Sequence, residues 1–171
     1  MLIGHGARTR PSATVRMPPD RIRVLSIAVF RAGDRILVAH GRDPATGGGF
    51  YRPLGGGVEF GERATEALAR EIREELAAEI DDVRLLGVLE NVFAYDVRPR
   101  HEVVFVHDAR FRDPALYERE ALAVVEPGAG WEPARWLPLA QFGDGAHRLV
   151  PDGLLALLRR AEARPGLAAD T

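Results

Sequence analysis

Arg70-Glu71-Ile72-Arg73-Glu74-Glu75-Leu76 sets three carboxylates close together. At about 100° per helical residue they share one arc of roughly 100°. Like charges at i,i+4, here Glu71 and Glu75, cost an isolated helix about 0.2–0.5 kcal/mol. Water, arginine or a metal ion must relieve that repulsion. Hard divalent cations such as Mg²⁺ take oxygen ligands, which carboxylates supply. The competing reading is a solvated helix face held by Glu66–Arg70 and Arg70–Glu74 pairs.

What precedes the helix favours the cation. Gly55, Gly56 and Gly57 form a turn whose backbone N–H groups can approach an anion. Glu59 and Glu62 follow, just before the helix. Carboxylates would repel a phosphate brought to such a turn unless cations bridged the two.

Residues 56–78 resemble the Nudix box. Gly56 and Glu62 fit its first two fixed positions, and Arg70, Glu71, Ile72, Glu74 and Glu75 its charged cluster. Two late positions depart: Ala77 stands where the family has glycine, and the small Ala78 where it has a larger apolar residue. Ala77 falls near the helix end, so a changed termination is expected, not lost chemistry. The preceding "FYRPLGGGVEFGE" also resembles the family's approach to the box, and the likeness extends over about residues 21–160. It implies an α/β fold, the family's α/β/α sandwich with a mixed β-sheet. It implies Mg²⁺- or Mn²⁺-dependent hydrolysis of the pyrophosphate linkage in a nucleoside diphosphate derivative: a dinucleoside polyphosphate, a nucleoside triphosphate or a nucleotide sugar. It places metal ligands on Glu71, Glu74 and Glu75, and gives Arg70, Glu74 and Glu75 catalytic roles, with Arg70 orienting a glutamate. The family's general base is a box glutamate or one on a distant loop, which leaves Glu102, Glu118 and Glu120 as further candidates.

Substrate contacts are expected from Arg52, Gly55 and Gly56, beside the turn, with Arg23 and Arg42 weaker candidates of the same kind. Phe50 and Tyr51 suit either base stacking or a core. Tyr95 lies seventeen residues past Ala78, where a tyrosine resembles the mark of diadenosine-polyphosphate hydrolases; at fifteen, where ADP-ribose hydrolases tend to carry proline, stands Phe93. Tyr95 is therefore a candidate for stacking on an adenine. The five histidines show no metal-ligand spacing, and no G-x-S-x-G elbow supports a serine nucleophile. Ser26 sits in an apolar run, which suggests packing.

These groups need elements to position them. Residues 21–30 and 35–40 read as a hairpin around the turn 32–34. Residues 41–49 read as a loop, and 50–54 lead into the glycines. Residues 64–79 are nearly all strong helix formers. Leu68, Ala69, Ile72, Leu76 and Ile80 make an apolar stripe about 130° from the glutamate arc, so the core and carboxylate faces are expected to be distinct. Residues 83–95 and 101–111 read as strands, 113–124 as a loop with one helical turn, 134–139 as a short strand and 151–163 as an amphipathic helix. The expected domain spans 21–163, between a flexible N-terminal extension, 1–20, and a C-terminal tail, 164–171.

Composition narrows the alternatives. The chain has 171 residues, enough for one domain with a real core. A formal net charge of −2 argues against a general nucleic-acid binder. Cysteine is absent, which excludes disulfides and thiol nucleophiles, and with them the cysteine-dependent isomerases of the same family. Lysine is also absent: all 23 basic residues are arginine, which excludes Schiff-base chemistry and a Walker-type lysine. No apolar run is long enough to cross a bilayer, and residues 1–20 lack a secretory core, so a cytoplasmic protein is expected. A nucleotide or dinucleotide partner is expected, without DNA or membrane, and a homodimer is open. The alternative to an enzyme is a non-catalytic nucleotide-binding or regulatory module of the same fold.

Overall fold

A computed structural model describes residues 21–125, 132–143 and 145–163. The readings for 1–20 and 164–171 lie outside the described residues. The elements run β1 (Arg23–Val29), β2 (Arg31–Ala32), β3 (Arg35–Arg42), β4 (Gly49–Arg52), β5 (Leu54–Gly57), α1 (Ala64–Leu76), β6 (Ile80–Tyr95), β7 (Arg98–Phe111), β8 (Ala121–Leu122), β9 (Ala134–Pro138) and α2 (Leu154–Glu162). Short 3₁₀ turns occupy Pro114–Tyr117 and Leu139–Gly143.

One sheet has the order β5-β1-β7-β6. Its β1–β7 pair is parallel and the others are antiparallel, so the sheet is mixed. A second sheet runs β2-β3-β9-β8, with β4 also paired to β3. The alternation of β1 explains why the first sheet is covered twice. Ala28 packs with Leu54, Leu68 and Ile72, which fixes α1 on one face. Leu25, Ile27 and Val29 pack with Val104, Val106, Leu154 and Leu158, which fixes α2 on the other. Leu68, Ile72, Leu154 and Leu158 are fully buried, each stabilising the fold by about 1.5–3 kcal/mol. The result is the expected α/β sandwich with a mixed sheet and flanking helices.

Several boundaries differ from expectation. The chain at 49–57 forms two strands, not one approach to a turn. Helix α1 ends at Leu76, and Ile80 begins β6 instead of continuing the helical stripe. Helix α2 starts at Leu154, after Pro151 and a Gly153 N-cap at φ 88°.

The termination of α1 is also not the one expected. Ala77 itself takes the left-handed cap conformation, φ 51° and ψ 36°, and donates its N–H to the Arg73 carbonyl at 2.9 Å. That geometry favours glycine, because an L side chain is strained there. Ala77→Gly should therefore stabilise the fold by about 0.5–1 kcal/mol, less whatever the unfolded glycine gains in entropy. The expected rise in Tm is about 1–4 °C, checked by thermal unfolding.

A polar pair lies buried inside the first sheet. Ser26 Oγ and His107 Nδ1 are 3.2 Å apart, so Ser26 makes a specific contact beyond packing. Burial pushes the His107 pKa below its ordinary value, and hydrogen bonding to the Ile27 and Phe105 backbone offsets this only in part. A histidine held neutral contributes stability that is present above its unfolded pKa of about 6.5 and lost as pH falls through the lower folded value. Denaturant unfolding should show a drop in stability from pH 7.5 to 5 that is smaller in His107→Gln.

Candidate active site

The site is built where α1 lies against β5. Strand β5 pairs with β1 in the register Ile27↔Gly55 and Ser26↔Gly56. Gly55 has φ +125°, and a Cβ there would collide with the Ser26 carbonyl oxygen. A Cβ on Gly56 would collide with the Glu71 carboxyl group. The glycines thus let the main chain of β5 touch β1 on one side and a helix carboxylate on the other. Gly55 N–H donates to Glu75 Oε2 at 3.0 Å. Glu71 and Glu75 therefore reach consecutive residues whose Cα atoms are about 3.8 Å apart.

This placement corrects the separation of faces. Glu75 is only 4% exposed and belongs to the buried side of α1. A carboxylate tolerates that position only with hydrogen-bond donors, and Gly55 N–H is one of them. The carboxylate face meets the core at Glu75.

Arg70 organises the other acids. Its Nε and Nη2 donate to both oxygens of Glu62, at 3.0 and 2.9 Å. Nη1 donates to Glu71 Oε1 at 2.9 Å and to the exposed Glu74 at 3.4 Å, and Nη2 also donates to the Gly57 carbonyl at 2.9 Å. The planar fork of arginine suits this, and a lysine would not reproduce it. The bidentate bond holds the Glu62 carboxyl below the usual carboxylate range and raises the Arg70 guanidinium further above its own. Arg70 bridges these carboxylates and so offsets part of their mutual repulsion. The Glu66–Arg70 pair of the competing reading does not form: Glu66 instead accepts from the Arg63 N–H at 2.9 Å, at the start of the helix.

Among the described residues no three acidic or imidazole groups converge as a preformed metal cage. The donor set nevertheless fits a hard cation. Glu71, Glu74 and Glu75 offer only carboxylate oxygen, and Glu71 packs against Gly56 in a space that any side chain at 56 would take from it.

On the opposite face of the first sheet from α1 lies a cavity of about 400 Å³, large enough for a nucleoside-sized group. Arg23, Arg52, Arg100 and Arg148 line it, and its acidic lining residues are Asp43 and Glu102. Arg52 also donates to the Gly55 carbonyl at 3.4 Å, which links the cavity to the glycine strand. Phe50 and Tyr95 line it as well, their rings edge to face at 6.2 Å between centroids. Of the sequence candidates, Arg23, Arg52, Phe50, Tyr95 and Glu102 meet here, while Arg42 does not line the cavity. Tyr51 instead contacts His40, Phe142 and His147. Glu118 and Glu120 are exposed and line no part of the cavity. Sequence reasoning missed Arg100, Arg148 and Asn91. The available signal for Asn91 was its two-residue spacing from Phe93 and Tyr95, which sets all three on one strand face.

Comparison with known proteins bears on the family and the fold. A family model described as NUDIX domain matches residues 19–158. Over 67 residues the chain is 40% identical to NAD-capped RNA hydrolase NudC of Pseudomonas putida (strain GB-1), a match covering 39% of this chain and 24% of that protein. NudC of Pseudomonas entomophila (strain L48) matches to the same extent. The chain thus spans about a quarter of the length of the curated relatives it matches. The crystal structure of a MutT NUDIX hydrolase from Burkholderia pseudomallei superposes with a TM-score of 0.60 at 28% identity, covering 81% of this chain and 98% of that one. The solution structure of the E. coli ORF135 protein superposes with a TM-score of 0.62 at 21% identity, covering 88% and 96%, and speaks for the fold alone. No helix among the described residues is long and apolar enough to cross a membrane. The arginine-clamped glutamates packed on the glycine strand thus belong to a chain of the NUDIX family.

Proposed function

We propose that this chain cleaves the pyrophosphate linkage of a nucleoside diphosphate derivative with Mg²⁺ or Mn²⁺ held by Glu71, Glu74 and Glu75. A divalent cofactor is common in the family. When bound, the cation supplies charge neutralisation on the diphosphate and a water acidic enough to act as nucleophile near neutral pH. The observation that carries this reading is the convergence of Glu71 and Glu75 on adjacent glycines of β5.

The chain's own residues do the positioning. Arg70 fixes Glu62, Glu71 and Glu74 through charge-assisted hydrogen bonds. Gly55 N–H fixes Glu75. Gly55 and Gly56 are filled against β1 and Glu71, so they seat the carboxylates and not the phosphate, to which Arg52 offers a fork. The nucleoside enters the arginine-lined cavity and stacks against Tyr95 or Phe50. Residues 21–163 form the catalytic unit. Dinucleoside polyphosphates, nucleoside triphosphates and nucleotide sugars are the substrate classes to compare, with NAD-linked substrates added because of the partial likeness to NudC.

The test is purified protein with Mg²⁺, a panel of these compounds, and identification of the cleaved bond from the products. Absence of metal-dependent turnover on every member would overturn the proposal. In the same panel Tyr95→Ala should raise KM for the preferred nucleotide by about tenfold, because one base–aromatic stack is worth about 1–3 kcal/mol. An unchanged preference removes Tyr95 from the base site.

A further inference from the structure

Two polar side chains in the cavity have no part in the chemistry above. Asn91 is 6% exposed and Glu102 is 8% exposed, and both line the cavity. The β6–β7 register sets them directly opposite each other. Cβ atoms of such a pair lie about 4.5–5.5 Å apart. Among the described residues the Asn91 amide has no hydrogen-bond partner, so its donors and acceptor are left for whatever fills the cavity. Glu102 has Arg23 Nη1 at 3.4 Å from Oε1, an ion pair that leaves acceptor lone pairs on both carboxylate oxygens for further donors. Buried polar groups of this kind are normally satisfied.

The donor and acceptor pattern selects a base. An amide offers both functions, and a carboxylate only accepts. Adenine presents one donor beside one acceptor, which a single amide satisfies bidentately, giving the neighbouring carboxylate little to do. Cytosine and uracil each present one donor position and two acceptors, so a carboxylate beside the amide would face a lone pair. Guanine presents one acceptor, O6, next to two donors, N1–H and the 2-amino group. That is the complement of one amide N–H and one carboxylate.

Building on the nucleotide-hydrolase reading, we infer that Asn91 and Glu102 read the edge of a guanine base. Asn91 donates to O6, and Glu102 accepts from N1–H and the 2-amino group. Phe50 and Tyr95 supply aromatic faces in the same cavity. Asn91 and Glu102 are thus specificity-determining residues, without a role at the scissile bond.

Equilibrium binding of guanosine, inosine and adenosine 5′-diphosphates to the full chain tests this. Inosine keeps O6 and N1–H but lacks the 2-amino group. The guanosine compound should bind about tenfold or more tighter than either of the others. Glu102→Gln should bring the guanosine-to-inosine ratio close to one, whereas Asn91→Ala should weaken both, because both share O6. Equal binding of guanosine and inosine compounds by the wild type, or an unchanged ratio in Glu102→Gln, overturns the inference. If Glu102→Gln fails to fold, the wild-type ratio decides. Turnover separates the two readings: guanine-selective binding without hydrolysis of any nucleotide defeats the pyrophosphohydrolase proposal alone. Hydrolysis indifferent to the base defeats the guanine assignment alone.

Discussion

Glu75→Gln is expected to lose metal-dependent hydrolysis by about 10³-fold or more while keeping the fold. The magnitude follows from what a metal ligand supports. Charge stabilisation of a transferring phosphoryl group by a bound cation is worth several kcal/mol, and each 1.36 kcal/mol is about tenfold in rate. Glutamine has the shape of glutamate and its carbonyl oxygen still accepts from Gly55 N–H, now at 3.0 Å to the carboxylate. The packing at this buried position is therefore kept, and what is removed is negative charge. Thermal unfolding should place the variant within a few degrees of the wild type, and excess Mn²⁺ should restore part of the rate if cation affinity is what fell. Glu74→Gln should lose less, because Glu74 is exposed and touches Arg70 only at 3.4 Å. Wild-type Mg²⁺-dependent turnover in both variants would remove the metal assignment.

Much of this site could be read from the chain because its chemistry is local. Glu62, Arg70, Glu71, Glu74 and Glu75 lie within a short stretch, and helical spacing brings them to one side. The strong helix formers from Ala64 to Leu76 and the β-branched strand at 23–29 follow from propensity and alternation. What could not be read depends on tertiary pairing. The buried state of Glu75 needs the Gly55 N–H of β5, twenty residues earlier. The cavity needs Arg23, Tyr95, Arg100 and Arg148 from separate segments, brought together by the β1–β7 and β6–β7 pairs and by the bridge of Leu149 to Tyr51. The end of α1 was misplaced because residues 77–79, Ala-Ala-Glu, have high helix propensity that the left-handed turn at Ala77 overrides. Where two strands replace the single approach at 49–57, Pro53 interrupts the run between β4 and β5.

The adjacent glycines of β5 should separate folding from catalysis. In Gly55→Ala the new methyl group meets the Ser26 carbonyl oxygen and approaches Ile27 Cα to 2.9 Å, both main-chain atoms of the central strand β1. Backbone in a sheet cannot step aside, and φ +125° is strained for any L residue. The expected cost is about 3 kcal/mol or more, from steric clash and backbone strain together, measured as a fall in the denaturant midpoint or as failure to accumulate soluble protein. Gly56→Ala first meets the carboxyl end of Glu71, a flexible side chain that can rotate away. The fold should survive with a loss of about 1 kcal/mol, within the usual range for a single substitution. Hydrolysis should still fall by about 10²-fold, because Glu71 leaves its place beside Glu75 and a misplacement of about 1 Å is enough for such a loss. Arg70 would have to follow Glu71 or release it, since its Nη1 bonds Glu71 at 2.9 Å while Nε and Nη2 stay committed to Glu62. Full activity in Gly56→Ala would show that Glu71 need not rest on the glycine strand to do its work, and would leave Glu74 and Glu75 to hold the cation without it.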